Sequence, residues 1–409
     1  MKKKFHFLVI DDDNDFVQLC RTILEGEGHQ VTALTSSGQA IETILTVQPD
    51  CVLCDLTMPD LDGFDLFHRI RQQPKIKQPI FIIVTSKQYE FDLRRAFELG
   101  VNGYITKPLN LDTFVEEVLE IIEDKMIVEF WGVRGTLPVP GKNTVHFGGN
   151  TNCVTLRFAQ KEFFIFDAGT GIKALSTHLM KQGKFPLSAK IFISHPHWDH
   201  INGIPFFIPL YIKGNEFEFL GTSHSGLSLE QLISGQMSNV YFPITLKEFA
   251  AKVSFRSVVE ETFNIGDIQI QTMLLNHPGR CLGFRVEYKK KVFCYVTDME
   301  LYLENSTSYN QFDVDRLINF IKNANLVVID STYMDDEYLK KINWGHSSIS
   351  RVVDVVDKAK VKTMCLYHHD PDQMDADIKN KLKQAKAMLK SRHSKTRCIA
   401  PCEGDKISI

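Results

Sequence analysis

Short apolar runs alternate with amphipathic stretches along residues 1–124. The amphipathic stretches, from Phe16–Glu25 to Phe114–Ile122, have the spacing of helices, and the apolar runs have the length of buried strands. Strands that alternate with helices usually pair side by side in parallel. The pattern therefore predicts an α/β domain, a doubly wound five-stranded parallel sheet with helices on both faces. The clearest of its strands are Phe5–Ile10, Cys51–Cys54, Ile80–Val84 and Gly103–Ile105.

The apolar runs of residues 127–409 are again short and strand-like. Strands packed into two sheets with helices outside fit this pattern. No Gly/Ser-rich or Pro-rich linker separates Asp124 from Ile127, so we expect two directly joined domains, residues 1–124 and residues 127–409. The predicted strands are Val154–Phe158, Phe163–Phe166, Lys190–Ile193, Ile268–Leu275, Val292–Val296 and Leu326–Ile329. The predicted helices are Gly171–Lys181, Asp313–Lys322, Ser348–Lys358 and Asp375–Ser391.

Composition and charge exclude several classes of protein. Hydrophobic residues make up 44% of the 409 residues, which argues against a disordered or fibrous chain. The 47 basic and 50 acidic residues leave a net charge of −3, so no global positive field is available for nucleic acid or an anionic membrane. We therefore expect neither membrane association nor extended nucleic-acid binding.

The nine cysteines are scattered along the chain without the spacing of a disulfide framework. Free thiols of this kind are typical of a reducing compartment, so we expect a cytoplasmic protein. Cys51 and Cys54 have the spacing of a redox or metal-binding pair, but the apolar run around them predicts a buried strand. We interpret both cysteines as strand residues.

Polar side chains stand at the ends of the predicted strands in the first domain. Asp11 and Asp12 follow the first strand, and Asp55 follows the third. Because the carboxyl ends of parallel strands meet at one edge, these carboxylates should come together around a hard cation, most simply Mg²⁺. Thr85 and Lys107, at the ends of the next two strands, can bond to a phosphoryl oxygen. Asp55 is the central candidate for a carboxylate nucleophile toward phosphorus.

The first domain resembles the response-regulator receiver domains of two-component systems. The segments that carry the resemblance are Phe7–Asp13, Asp55–Gly63, Val84–Ser86 and Tyr104–Pro108. The resemblance implies that Asp55 accepts a phosphoryl group from a sensor histidine kinase or a phosphotransfer protein. The residues implied in Mg²⁺ binding are Asp11, Asp12 and Asp55. The implied switch residues are Thr85 and Tyr104, which move inward on phosphorylation, together with Lys107.

The second domain contains a dense group of metal-binding residue types in the segment Ile193–His200. His195 and His197 are two residues apart in an extended run, so their side chains face the same side and can share a metal. Asp199 and His200 lie further round the turn and can reach a second metal. Imidazole and carboxylate suit Zn²⁺, with Mn or Fe as alternatives. Because no cysteine belongs to this cluster, an open, hydrolytic site is favoured over a structural zinc site.

Further candidate ligands follow apolar runs downstream. They are His277, Asp298, His346, His368 and His369. One carboxylate shared between histidines on either side would make a two-metal centre. Asp167 and Asp330 also follow apolar runs, and we expect them to form hydrogen bonds to ligand histidines rather than bind a metal directly.

The second domain resembles the metallo-β-lactamase fold, an αββα sandwich of hydrolases, and within it the ribonuclease Z-like and cyclic-phosphate phosphodiesterase branch. The segments that carry the resemblance are Trp131–Thr136, Gly148–Cys153, Asp167–Gly171 and Trp344–Ser347. The ligands implied for one metal are His195, His197, His277 and Asp298. Those implied for the second metal are Asp199, His200, Asp298 and His368, with His369 as the rival to His368. His346 would be the proton donor or a phosphate clamp. The residues expected to act in catalysis are Asp199 and His346.

Taken together, these features predict a two-component response regulator whose output domain is a dinuclear-metal hydrolase. We expect a phosphodiesterase that acts on a cyclic nucleotide or another small phosphodiester and is controlled by phosphorylation of Asp55. One alternative is hydrolysis of an ester, thioester or lactone on the same fold. Another is a non-enzymatic signalling module with a structural or sensory metal site. The direct connection of the domains also allows phosphorylation to act through a homodimer.

Overall fold

The computed structural model describes residues 3–87, 89–159, 162–183, 185–240 and 242–409. The chain forms two units, Met1–Lys125 with Phe158–Lys161, and Met126–Arg157 with Glu162–Ile409. Within the described ranges, no helix is long and apolar enough to cross a membrane.

The first unit contains one parallel sheet and five α-helices among its described residues. The strands are β1 (His6–Ile10), β2 (Gln30–Leu34), β3 (Cys51–Cys54), β4 (Ile80–Thr85) and β5 (Gly103–Thr106). The helices are α1 (Asn14–Gly26), α2 (Ala40–Val47), α3 (Gly63–Gln72), α4 (Glu90–Glu98) and α5 (Phe114–Glu123). The strand order is β2-β1-β3-β4-β5, with every neighbouring pair parallel. This arrangement confirms the predicted doubly wound receiver fold.

Local sequence explains how the first strand leads into its helix. Four of the five residues of β1 are buried, and Asp11 follows at the carboxyl edge of the sheet. Asp13 then caps α1, because its side chain accepts hydrogen bonds from the backbone N–H groups of Asp15 and Phe16. The strand and the cap together fix the position of the acidic residues between them.

In the described part of the second unit, the strands form two seven-stranded sheets. The strands of the first sheet are β6 (Met126–Gly132), β7 (Cys153–Phe158), β8 (Glu162–Phe166), β9 (Ser188–Ile193), β10 (Glu216–Gly221), β11 (Lys252–Ser257) and β19 (Lys406–Ser408). Their order is β11-β10-β9-β8-β7-β6-β19. The helices in this half of the unit are α6 (Gly171–Gln182), α7 (Trp198–Ile201) and α8 (Leu229–Gln236).

The strands of the second sheet are β12 (Thr262–Ile265), β13 (Ile268–Leu274), β14 (Leu282–Tyr288), β15 (Lys291–Val296), β16 (Leu326–Asp330), β17 (Thr363–Tyr367) and β18 (Arg397–Ile399). They pair in sequence order. The remaining helices are α9 (Gln311–Phe320), α10 (Asp335–Tyr338), α11 (Ile349–Lys358) and α12 (Asp375–Ser391). This half of the unit therefore mixes antiparallel pairs at its start with parallel pairs from β15 onwards.

Aromatic side chains join the two sheets face to face. Phe166 of β8 lies with its ring centroid 5.7 Å from that of Phe284 in β14 and 5.3 Å from that of Phe293 in β15. Phe192 of β9 also contacts Phe284, at 5.3 Å. All four rings are fully buried, so this contact forms the apolar interior between the sheets.

Helices cover the outer faces of both sheets. Val352 and Val356 of α11 belong to one buried cluster with Val327 and Ile329 of β16. On the other side, Leu175 of α6 packs into a cluster with strand residues of the first sheet. Two packed sheets between two helical layers confirm the predicted αββα sandwich.

Four strands of the sandwich bring chemically active residues to one place. β9 of the first sheet ends at Ile193, and β13, β15 and β17 of the second sheet end at Leu274, Val296 and Tyr367. A histidine or aspartate follows each of these ends within three residues, and these residues belong to two donor groups that share Asp298.

Candidate functional site

The first candidate metal group combines three histidines and one aspartate. His195 Nε2 lies 2.8 Å from His197 Nδ1, and His277 Nε2 lies 3.3 Å from the same His197 nitrogen. Asp298 Oδ2 lies 3.6 Å from His195 Nε2 and 3.8 Å from His277 Nε2. One donor atom from each of the four residues therefore falls within 4.8 Å of all the others.

The second group shares Asp298 with the first. Its members are Asp199, His200, Asp298 and His368. His200 Nε2 and His368 Nε2 lie 3.2 Å and 3.1 Å from Asp298 Oδ1, the carboxylate oxygen that the first group does not use. His368 Nε2 also lies 3.2 Å from Asp199 Oδ2. Asp298 thus presents one oxygen to each group, which is the arrangement of a bridging carboxylate.

The donor chemistry of the two groups fits a pair of divalent transition-metal ions. Each group offers imidazole nitrogens and carboxylate oxygens, which suit Zn²⁺ and its neighbours, and neither includes a cysteine. Burial raises the pKa of Asp298, but the surrounding His368, His200 and His195 overcome that effect and hold the pKa well below its ordinary value. Burial also lowers the pKa of His200, yet the carboxylates of Asp199, Asp298 and Asp167 raise it well above 6.5. The same negative field favours a bound cation.

Hydrogen bonds fix the orientation of the ligand side chains. Asp167 Oδ2 lies 2.7 Å from His200 Nδ1 and accepts a hydrogen bond from the Tyr295 hydroxyl at 2.8 Å. The backbone N–H of Thr136 donates to Asp199 Oδ2 at 2.8 Å. His277 Nδ1 lies 2.9 Å from the carbonyl oxygen of Gly345, so its Nε2 is the nitrogen left to face the metal group.

Three of the polar residues at strand ends have left-handed backbone conformations. The φ angles are +59° at Asp167, +42° at Asp298 and +59° at His368. Residues other than glycine seldom adopt such angles, and the strain is typical of functional sites. The backbone therefore turns sharply within two residues of the ends of β8, β15 and β17.

His346 lies next to the second group and forms a third, three-residue candidate donor group with Asp330 and His368. Its Nδ1 lies 2.7 Å from Asp330 Oδ2, and its ring stacks on that of His368 with centroids 4.7 Å apart. Burial lowers the pKa of His346, but the negative charges of Asp330, Asp298 and Asp199 outweigh burial and raise the pKa to about 9. Asp167 is hydrogen-bonded to His200 of the second group, as predicted, whereas Asp330 is hydrogen-bonded to His346.

The positions of two further histidines, His369 and His224, differ from what their sequence context suggests. His369, the rival of His368, is fully buried and lies outside the donor groups of the described chain, with its ring centroid 6.2 Å from that of Phe147. His224, which no sequence motif marks as a candidate ligand, lies beside the first group. A Cβ built on Gly279 would lie 3.1 Å from His224 Cε1 and 3.6 Å from His197 Nε2.

The first unit gathers the predicted phosphorylation residues around Lys107. Lys107 Nζ donates hydrogen bonds to Asp11 Oδ2 at 2.6 Å and to Asp55 Oδ1 at 2.9 Å. Asp55 Oδ2 accepts a further hydrogen bond from the backbone N–H of Thr57 at 2.6 Å. Asp11 and Asp55 are buried and Asp12 is exposed. Burial raises the pKa of Asp11, although the hydrogen bond from Lys107 opposes the shift.

The two predicted switch residues face the segment that follows β4. The Thr85 hydroxyl accepts a hydrogen bond from the backbone N–H of Lys87 at 3.3 Å. The Tyr104 hydroxyl donates to the carbonyl oxygen of Lys87 at 2.9 Å, and the tyrosine is buried. Tyr104 is therefore buried and held against the segment that follows β4.

Comparison with known proteins matches each unit separately. The family described as response regulator receiver domain matches residues 7–119, and the family described as beta-lactamase superfamily domain matches residues 163–369. The response regulator SaeR of Staphylococcus aureus is 37% identical over 105 residues, which are 26% of this chain and 45% of SaeR. The chain thus spans less than half the length of the curated relatives it matches.

Solved structures resemble the second unit in fold. The metallo-beta-lactamase fold protein YhfI from Bacillus subtilis aligns with a TM-score of 0.51 and 15% identity, over 70% of this chain and 100% of YhfI. Unliganded yeast PDE1 aligns with a TM-score of 0.52 and 12% identity, over 70% of this chain and 99% of PDE1.

The fold and the two sites define a response-regulator receiver domain fused to a metallo-β-lactamase-fold domain. The chain belongs to the beta-lactamase superfamily, whose match covers half of its length. Membership of this superfamily and the two donor groups identify the second unit as a domain of metal-dependent hydrolase type.

Proposed function

We propose that this protein is a response regulator whose second domain hydrolyses a phosphodiester, either a cyclic nucleotide or another small phosphodiester. His195, His197, His277 and Asp298 would hold one divalent ion, and Asp199, His200, Asp298 and His368 would hold another. We propose Zn²⁺ for both, with Mn or Fe as alternatives. When bound, such ions neutralise charge on a phosphate and make water more acidic.

The observation that carries the proposal is the hydrogen-bonded pair of His346 and Asp330. Asp330 is fully buried and lies 2.7 Å from His346 Nδ1, which leaves Nε2 as the nitrogen free to act on substrate. The stack against His368 keeps the His346 ring next to the metal groups. A histidine fixed in this way can donate a proton to an alkoxide leaving group, which is the group that phosphodiester cleavage must release.

Two exposed tryptophans favour a substrate with an aromatic part. Trp198, between the ligands His197 and Asp199, is 79% exposed, and Trp344, two residues before His346, is 61% exposed. Because each tryptophan is close in sequence to residues of the proposed site, its exposed ring is available to contact a bound ligand. An indole ring provides a stacking surface for a nucleobase. We therefore place cyclic nucleotides first among the small phosphodiesters.

The receiver supplies the proposed control. A sensor histidine kinase or a phosphotransfer protein would transfer a phosphoryl group to Asp55, with Mg²⁺ held by Asp11, Asp12 and Asp55. Lys107 is already in hydrogen-bonding contact with Asp55 and would pair with the added negative charge. All nine cysteines are free, which suits a reducing compartment, and we propose that the protein acts in the cytoplasm.

A substrate screen with the full chain tests the function. Metal-loaded protein is given bis(p-nitrophenyl) phosphate and a panel of cyclic nucleotides, and in parallel an aryl ester, a thioester and a lactone. We expect turnover of the phosphodiesters to exceed that of the carbonyl substrates. The H346A variant is assayed in the same screen to test the proposed proton donor. Its matched control is H393A, because His393 is exposed and lies outside the metal groups. Turnover of the carbonyl substrates alone would replace the phosphodiesterase proposal with the ester, thioester or lactone alternative.

A further inference from the structure

Glu300, two residues after Asp298, has a buried carboxylate that accepts three hydrogen bonds. The residue is only 3% exposed. Oε1 accepts from the Tyr338 hydroxyl at 2.9 Å and from the backbone N–H of Asn343 at 2.8 Å. Oε2 accepts from the backbone N–H of Gly345 at 2.8 Å. Two of the three donors are therefore backbone groups of the turn that leads into His346.

The backbone of Glu300 is tied at the same time to the segment that carries His277. The N–H of Glu300 donates to the carbonyl oxygen of Asn276 at 2.8 Å. The side chain of Asn276 donates back to the carbonyl oxygen of Glu300 at 2.9 Å. Glu300 thus connects three stretches of chain, which end in or adjoin Asp298, His277 and His346.

The turn that Glu300 holds is in close contact with a metal-binding histidine. The carbonyl oxygen of Gly345 lies 2.9 Å from His277 Nδ1. A Cβ added to Gly345 would lie 2.4 Å from the same nitrogen, so this turn has no room to shift toward the ring. Gly345 has a φ of +85° and Asn343 a φ of +70°, conformations that need support from outside the turn.

We propose that Glu300 is a positioning residue for both the first metal group and His346. By holding the N–H groups of Asn343 and Gly345, its carboxylate fixes the Gly345 carbonyl against His277 and fixes the start of the segment that presents His346. The part of the proposal that concerns His346 rests on the proposed function. The part that concerns His277 rests on the geometry of the metal group alone.

The chemistry of the contacts explains why a carboxylate is required. All three partners are donors, and an ionised carboxylate offers only acceptors. In E300Q one acceptor oxygen becomes an NH₂ group, and in either orientation of the amide it would face the backbone N–H of Asn343 or Gly345 and leave that N–H without a partner. In E300D the charge remains, but the side chain is one methylene shorter and cannot reach the same donors.

The experiment compares the full chain with its E300Q, E300D and E304Q variants. Glu304 lies on the same loop, and its side chain is 66% exposed and pairs with Arg351, so E304Q is the matched control. The readouts are hydrogen exchange at the amides of Asn343 and Gly345, the visible spectrum of the Co²⁺-loaded protein, and kcat and KM for bis(p-nitrophenyl) phosphate.

In E300Q and E300D we expect faster exchange at these two amides, with the amides of β16 still protected, and a changed Co²⁺ spectrum. We expect kcat to fall by about 10–100-fold while KM changes by less than about threefold. E304Q should match the wild type in every readout. If E300Q does not fold, E300D decides the question.

Unchanged exchange and an unchanged Co²⁺ spectrum in the Glu300 variants would overturn the proposal. The same changes in E304Q would also overturn it, because they would show a general effect of altering this loop. If the wild type cleaves no phosphodiester, the proposed function fails. The exchange and Co²⁺ measurements still decide whether Glu300 positions His277.

Discussion

Asp298 Oδ1 lies 3.1 Å from His368 Nε2, while Asp298 Oδ2 lies 3.6 Å from His195 Nε2. The aspartate therefore links a histidine that follows β17 in the second sheet with one that follows β9 in the first. A residue in this position cannot be replaced without changing both donor groups at once.

Replacing Asp298 with alanine should remove the shared ligand. We expect metal content to fall from about two ions per chain to one or fewer, with loss of hydrolysis, because both groups lose the shared anionic carboxylate that would link the two ions. Elemental analysis after Zn²⁺ or Mn²⁺ loading and desalting measures this directly. The control is D313A, which removes an exposed aspartate from the start of α9. Two ions retained by D298A would show that Asp298 does not bridge.

His346→Ala should separate catalysis from metal binding. His346 contacts His368 and Asp330 but is absent from both four-residue donor groups. We expect the variant to retain its metals and to lose turnover by roughly 10²–10⁴-fold, the usual contribution of a general acid. Parallel metal analysis and phosphodiesterase assays provide the test. Loss of an ion in H346A would make His346 a ligand instead of a proton donor.

Phosphorylation of Asp55 should alter either self-association or hydrolysis. A small phosphodonor with Mg²⁺ should label the wild type and D65N but not D55N, because Asp65 is an exposed residue of α3. We expect at least a few-fold change in dimerisation or rate, which corresponds to about 1 kcal/mol of coupling. Sedimentation and phosphodiesterase assays on treated protein measure both. Identical mass and rate with and without phosphodonor would separate the receiver from this active site.

Lys381 should make folding stability depend on pH. Burial lowers the pKa of this fully buried lysine to about 7, although Glu337, Asp330 and Asp370 oppose the shift. The unfolded lysine keeps its ordinary pKa of about 10.4, so the unfolded state binds more protons between these two values. The free energy of unfolding should therefore rise from pH 7 to pH 10, by about 1.4 kcal/mol for each unit of pKa difference.

Comparison with K381M isolates this effect, because other titrating groups are common to both proteins. Denaturant unfolding at several pH values should show the wild type gaining stability relative to K381M as pH rises. A constant difference between the two would mean that Lys381 stays protonated. In that case the hydrogen bonds that its Nζ donates to Ser331, Thr332 and Gln373 retain the charge in the folded protein.

The fold was predictable where a strand is apolar on both faces, as in Cys51–Cys54 and Ile80–Thr85. It was not predictable for β2, where Gln30 and Thr32 interrupt the apolar pattern of an edge strand that is only partly buried. Nor was β10 assigned, although glutamates alternate with phenylalanines in Glu216–Gly221, which is the pattern of a half-buried strand. Pairing with neighbouring strands determines such segments more than their own composition does.

Site residues were predictable where a signal lies close to them in the sequence. The ligands from His195 to His200 lie in one short segment, and the others directly follow apolar runs. Their roles remain predictions until metal content and activity are measured. His224 and Glu300 carry no such signal, because their positions depend on contacts with Gly279 and Gly345, which are distant in sequence. Only the folded chain shows these contacts.

The left-handed backbone at Asp167, Asp298 and His368 lowers the stability of the fold at positions that belong to the candidate site. Such a conformation costs a residue other than glycine roughly 1–3 kcal/mol. Glycine at any of these positions would relieve the strain and remove a side chain that would bind or orient the proposed metal centre. Laboratory evolution for thermal stability alone would therefore favour glycine at these three positions. The resulting proteins would be more stable but would lack the proposed activity. Selection must act on activity to keep these three residues in place.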